Sequence, residues 1–259
     1  MKQSIFLSAV IVVTLLVGIG IWWFILGDPG NFLNGTERTK PANILGTIFT
    51  GGIIVPVLIC LTLMDLTLVF ERLFSLKKAS GKRSITDFLK GVQTQLMSGK
   101  VEEAIKACDA QRGSAANIIR TGLERYKTIV GDKKLDAEKK MVETQRAIEE
   151  ATSLETPLLE RNLIALSTIA SIATMFGLLG TVIGMIRAFT ALARAGAPDA
   201  IQLSIGISEA LVNTALGLLA AIIGIVAYNF FVTKVDNFTY MIDEASYNVV
   251  QILNTRTTD

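Results

Sequence analysis

Glu209 is the only charged residue between Ile201 and Thr233, in a stretch otherwise built of apolar and small side chains. A charge inside a membrane helix costs about 2.5–3.5 kcal/mol on insertion scales, so it needs a reason. Two compatible reasons stay open: a carboxylate on a proton path or facing a partner, and a structural ion pair with Arg187. Hydroxyls at Thr181, Thr214 and Thr174, with the Asn213 amide, complete the polar set that could hold water or relay protons. Asp65 is a weaker candidate, because it stands close to Glu71 and Arg72, where a solvated or snorkelling charge is cheap. The 259 residues contain no histidine, and the two cysteines, Cys60 and Cys108, lie far apart. No metal site, disulfide framework, phosphate loop or nucleophile motif is expected, which argues against an enzyme and against a bound cofactor.

The elements that must position these groups are two helices. In the first, Ser167, Ala170, Thr174, Gly177, Thr181, Gly184 and Ala188 recur at three and four spacing, with Gly180 close by; in the second, Ala210, Thr214, Gly217, Ala221 and Gly224 do the same. Each set is one continuous face. Small residues let backbones approach closely in lipid, so packing is the plain reading of the glycines and alanines. A turn near Gly196-Ala197-Pro198 makes the two helices a hairpin. Helical rise then puts Thr181 about 18 Å, and Thr214 about 20 Å, below that turn. The two hydroxyls are expected at one depth, and several copies around an axis would make a ring of them.

Composition supports a membrane setting, with 51% hydrophobic and 19% charged residues. Four uncharged or nearly uncharged stretches are each long enough to cross a core of about 30 Å: Ile5–Leu26, Pro41–Met64, Asn162–Ile186 and Ala210–Thr233. The expected fold is all-α: a polytopic membrane protein with four transmembrane helices and a helical cytoplasmic domain. The first stretch could instead be a signal peptide, but its length, its poor cleavage site and the paired Trp22 and Trp23 near its end favour a span. Of the 25 Lys and Arg residues, 18 fall between Glu71 and Arg161, which places that segment and both termini inside. The organisation expected is 1–43 first span and link, 44–70 second span, 71–161 charged domain, 162–233 hairpin and 234–259 C-terminal helix or tail. A net charge of +2 points to no nucleic acid.

Within the charged segment the periodicity is helical throughout. Ser84 or Thr86 caps a helix to about Met97, Ser98-Gly99 breaks it, Lys100–Ala110 forms the next, and Gly113-Ser114 opens another to about Ile129. From Leu135 a longer helix runs toward Asn162 and into the membrane, with Pro157 as kink or restart. Lys133, Lys134, Lys139 and Lys140 among acidic neighbours read as a solvated face.

Three stretches carry a resemblance. Gly177 to Phe189 reads GLLGTVIGMIRAF and matches the pattern GLLGTVxGxxxxF; Gly206 to Asn229 matches GIxEALxxTAxGLxxAIxxxxxYN; Phe70-Glu71-Arg72-Leu73 matches an ER signature, with Leu158 to Asn162 leading into the membrane. These resemble the MotA/TolQ/ExbB proton-channel family, in its ExbB/TolQ branch. The resemblance implies that Thr181, Glu209 and Thr214 are pore positions. It also implies a pentamer around a dimer of a single-pass ExbD/TolR-like partner, whose own membrane Asp is the principal proton carrier. A TonB-like or TolA-like protein would transmit the motion, with protons as coupling ion, in a bacterial inner membrane. The chain departs from the family's pattern at Thr174, where proline is common, and in its added N-terminal helix. Within the family a TolQ-like subunit for outer-membrane maintenance, or a related gliding or flagellar stator, is the alternative; a stand-alone channel or transporter, or a non-conducting scaffold, is the competing expectation outside it.

Overall fold

The computed structural model describes residues 2–132, 135–193 and 199–258. They form α1 (Lys2–Gly20, extended by a π turn over Ile21–Leu26), α2 (Ile44–Phe49), α3 (Ile54–Ala79), α4 (Ile85–Met97), α5 (Val101–Gln111), α6 (Ser114–Val130), α7 (Ala137–Glu160), α8 (Leu163–Leu192) and α9 (Ala200–Thr258). Among the described residues there is no β-strand, only an isolated antiparallel bridge between Phe32 and Pro41. Among the described residues four helical stretches are long and apolar enough to cross a membrane: Ser8–Leu26, Ile54–Ala79, Ala137–Leu192 and Ala200–Thr255. The chain is a polytopic all-α membrane protein. It divides into two compact units, Met1–Phe70 with Asn162–Asn229, and Glu71–Arg161 with Phe230–Asp259.

In the membrane unit α1 docks on α3. Gly18 allows this, since a Cβ there would lie 2.8 Å from the Pro56 carbonyl oxygen, and the Thr14 hydroxyl meets the Cys60 sulfur at 3.3 Å. Trp22 stacks on Phe49 with centroids 4.8 Å apart, and the Arg38 guanidinium lies 4.8 Å over the Trp23 ring. The link after α1 is ordered around the buried Asn31, whose amide donates to the Ile25 and Leu26 carbonyls.

The second span departs from the expected continuous helix. α2 ends at Phe49, the chain turns through Gly51 and Gly52, and α3 starts at Ile54. Gly52 has φ +77°, a conformation that an L side chain adopts only at a cost. Hydropathy is blind to such a break, because glycine is apolar enough to leave the stretch looking uniform.

The charged unit packs Phe88, Val92 and Leu96 of α4, Ala104 and Cys108 of α5, Ile119, Leu123 and Tyr126 of α6 and Met141 of α7 into one core. Ala245, Val249 and Leu253 of α9 join it, so the C-terminal segment is a structural member of this unit rather than a tail. Gln111 pins the loop before α4: it donates to the Ser80 and Arg83 carbonyls and accepts from the Arg83 amide. The helix before the hairpin breaks at Arg161-Asn162, not at Pro157, which stays inside α7. Asn162 takes φ 62°, a left-handed conformation that asparagine tolerates better than most residues. Arg72 is fully buried, donating twice to Glu71 at 2.7 Å and once to the Leu159 carbonyl at 3.2 Å. Lys139 reaches Asp136 at 3.8 Å on an exposed surface, while Lys133 and Lys134 lie outside the described residues.

Candidate functional site

The site is built on the facing surfaces of α8 and α9. A Cβ on Gly217 would lie 2.7 Å from the Gly177 Cα, and one on Gly184 would lie 2.6 Å from the Ala210 amide nitrogen. Gly206 and Ala188 make the same approach one step further along, at 2.7 Å. This backbone contact is possible only where side chains are absent or minimal. Ala221 is buried on the same face of α9. The turn at Gly196-Ala197-Pro198 lies outside the described residues.

Close approach brings Thr181 and Thr214 together. Their hydroxyls are hydrogen-bonded to each other across the helix pair, and each also reaches a carbonyl one turn back: Thr181 to Gly177 at 3.2 Å, Thr214 to Ala210 at 3.2 Å. Both side chains are half-buried, so the pair is partly open. Thr174 stands apart, donating to the Ala170 carbonyl of its own helix at 3.1 Å. The hydroxyls flank exposed apolar rows, Met175, Leu178, Val182, Ile186 and Phe189 on α8 and Leu211, Leu218 and Ile222 on α9.

Glu209 and Arg187 also meet. Arg187 Nη1 donates to both Glu209 oxygens at 2.7 Å, with the Glu209 side chain 4% exposed and that of Arg187 57% exposed. A cavity of about 530 Å³ opens beside them, lined in part by Thr190, Asp199, Gln202 and Gly206. The pair therefore has a buried acceptor and an exposed donor.

Asn213 is fully buried and does different work. Its side-chain amide donates to the Gly51 carbonyl at 2.8 Å, and Gly180 leaves it room, since a Cβ there would sit 2.3 Å from the Asn213 Cβ. Gly52 lies against Glu209, where a Cβ would come 2.7 Å from Oε1. The α2–α3 break is thus part of the site, and sequence reading passed over it. The Gly51-Gly52 dipeptide was the available signal.

Asp65 is the second correction. Instead of a solvated position it is fully buried, with its Oδ2 at 3.0 Å from where a Gly224 Cβ would be, a point that also lies 2.9 Å from the Ala170 Cβ. Among the described residues neither of its oxygens has a hydrogen-bond partner. Among the described residues no group of His, Cys, Asp and Glu side chains could hold a metal ion.

A helical hairpin in a membrane unit, with paired hydroxyls and a buried carboxylate between its helices, defines a class of polytopic proteins with a polar route through apolar walls. A model of the MotA/TolQ/ExbB proton channel family matches residues 110–244, and the chain belongs to that family. Its similarity to named relatives lies in the ExbB/TolQ branch. It is 36% identical over 114 residues to the Tol-Pal system protein TolQ of Pseudomonas aeruginosa, covering 44% of this chain and 49% of the relative. To the biopolymer transport protein ExbB of Pseudomonas putida it is 28% identical over 167 residues, 64% and 50% of the two chains. To the ExbB of Aquifex aeolicus it is 35% identical over 117 residues, 45% and 71%. The chain spans about half the length of the two Pseudomonas relatives.

Proposed function

We propose that this chain is an ExbB-like subunit of a motor driven by the proton-motive force in a bacterial inner membrane. Several copies, five by family analogy, form a ring around a single-pass ExbD/TolR-like dimer and energise a TonB-like protein. Protons are the coupling ion and no cofactor takes part. Both termini and the charged unit face the cytoplasm.

The observation that carries this reading is the Thr181–Thr214 hydroxyl pair, held within the family-matched residues by glycine contacts on either side. Hydroxyls at one depth on a partly open face suit a proton path whose titrating carboxyl is supplied by a partner. An electrical gradient supplies about 2.3 kcal/mol per charge per 100 mV, so a few protons per cycle suffice for mechanical work. The similarity to TolQ favours a second reading of the same machine, in which the arm served is TolA-like and the process is outer-membrane maintenance.

The test is purification of the full chain from its native membrane. A co-purifying small protein with one span and a membrane Asp, and proton uptake by vesicles holding the complex, are expected. Thr181→Ala with Thr214→Ala should abolish uptake while leaving the complex assembled. Uptake by vesicles holding this chain alone, or unchanged uptake in the double variant, refutes the reading.

A further inference from the structure

Asp65 is the one fully buried carboxylate of the membrane unit that has no donor to either oxygen among the described residues. Glu209, by contrast, has both oxygens on Arg187. The two lie at different depths: Asp65 abuts Gly224, and Glu209 stands fifteen residues earlier on α9, about 22 Å away along the helix. That separation covers most of a hydrocarbon core of about 30 Å.

Among the described residues no hydrogen-bond donor reaches either Asp65 oxygen. The notch at Gly224 that meets Asp65 is also met from α8 by the Ala170 Cβ and the Leu166 carbonyl, and that helix carries no ionisable residue between Leu163 and Ile186. From α9 Asp65 is approached by Gly224, and the next ionisable residue along that helix is Tyr228, one turn further. On α3 the next charge of opposite sign is Arg72, two turns on, whose guanidinium is already bonded to Glu71 and the Leu159 carbonyl. α1, which packs on α3 through Thr14, has no ionisable residue from Gln3 to Leu26. An ionised carboxylate without donor or counter-ion is not sustained in such a place, whereas a carboxylic acid is. Gly224 leaves the space that the acid occupies, because a side chain on α9 there would collide with it.

We propose that Asp65 is a proton-binding site of the membrane unit, taking up one proton and releasing one at the end of the hairpin opposite Glu209. The balance per passage is zero: the acid gives its proton onward and is reprotonated from the path. The route would run past the Thr181–Thr214 pair and Thr174 on the same helices. The inference rests on the reading of this chain as the wall of a proton path, but its first test does not.

That test is infrared spectroscopy of the full-length chain in phospholipid vesicles at neutral pH. A carboxylic acid C=O band, separate from the carboxylate bands, is expected in the wild type and in Glu209→Gln, and is expected to vanish in Asp65→Asn. An unchanged acid band in Asp65→Asn overturns proton binding at Asp65. The second test measures proton uptake by vesicles holding the purified complex. Asp65→Asn, which keeps the shape of the neutral acid and should fold, is expected to lower uptake by about tenfold or more, with partial recovery in Asp65→Glu. Wild-type uptake in Asp65→Asn overturns the relay. Absence of uptake in the wild type overturns the motor reading, and the infrared band then decides proton binding by itself.

Discussion

The Asn213 side-chain amide on α9 donates to the main-chain carbonyl of Gly51 at 2.8 Å, inside the break between α2 and α3. In a continuous helix that carbonyl would receive the Val55 amide, but Val55 donates to Gly52 instead, at 3.2 Å. The interruption leaves one backbone acceptor without its helical partner, and a residue 162 positions later supplies the donor. Backbone breaks at membrane depth persist only where protein groups satisfy them.

Asn213→Leu is therefore expected to destabilise the membrane unit although the new side chain is apolar and of similar size. The Gly51 carbonyl would be buried without a partner, at a cost of about 1–3 kcal/mol. Thermal unfolding of the full chain in detergent, followed by circular dichroism, measures it. An unchanged midpoint would show that the Gly51 carbonyl finds another donor.

The ion pair predicts an asymmetry. Arg187→Gln leaves a Glu209 side chain that is 4% exposed without its donor, whereas Glu209→Gln leaves an Arg187 side chain that is 57% exposed and can be hydrated. The arginine variant should lose about 2 kcal/mol, the low end for truncating a buried charge pair because one partner is exposed. The glutamate variant should lose less than half of that. The double variant should recover part of the loss in a cycle of unfolding measurements.

Glycine substitutions separate contact from propensity. Gly184→Ala forces a Cβ to 2.6 Å from the Ala210 nitrogen and 2.7 Å from the Gly206 carbonyl oxygen, which only a movement of α9 can relieve. It should cost about 1–3 kcal/mol and weaken the Thr181–Thr214 contact one turn away. Gly20→Ala meets nothing within 4 Å and lies in right-handed helical conformation at φ −61°. It should be neutral or stabilise by up to about 1 kcal/mol. Equal effects in the two variants would contradict the packing described.

The parts of this arrangement that sequence made legible are those with local causes. The breaks at Ser98-Gly99 and Gly113-Ser114 follow from turn chemistry, and Gly99 and Gly113 do take φ of +78° and +93°. The small-residue faces of α8 and α9 follow from helical periodicity. The burial of Asp65 could not be read that way, because it depends on Gly224, 159 positions further on, and the residues around Asp65 suggested a helix end in solvent. The place of the C-terminal segment was readable and missed: Phe231, Val235, Phe238, Ile242, Ala245, Val249 and Leu253 are all buried, at three and four spacing. Such a stripe requires a partner surface.

Cys108 gives a prediction about the charged unit alone. The thiol is buried between α4, α5 and α6 in the core, and burial pushes it from the ordinary thiol range up to about 12, with the neighbouring Asp109 carboxylate raising it further. The thiolate is the reactive form, so the folded chain should resist maleimide at pH 8 and react at Cys108 only after unfolding, as peptide mapping would show. The same shift fixes a sign for stability. Between pH 9 and 12 the unfolded chain loses the Cys108 proton and the folded chain keeps it, so the folded state binds more protons and its stability falls as pH rises. Below pH 9 both states are protonated and the group contributes no slope. Cys108→Ala, which removes the titration and leaves only a small cavity, should show a shallower loss of stability across that window than the wild type. Parallel curves for the two proteins would place the thiol in contact with solvent.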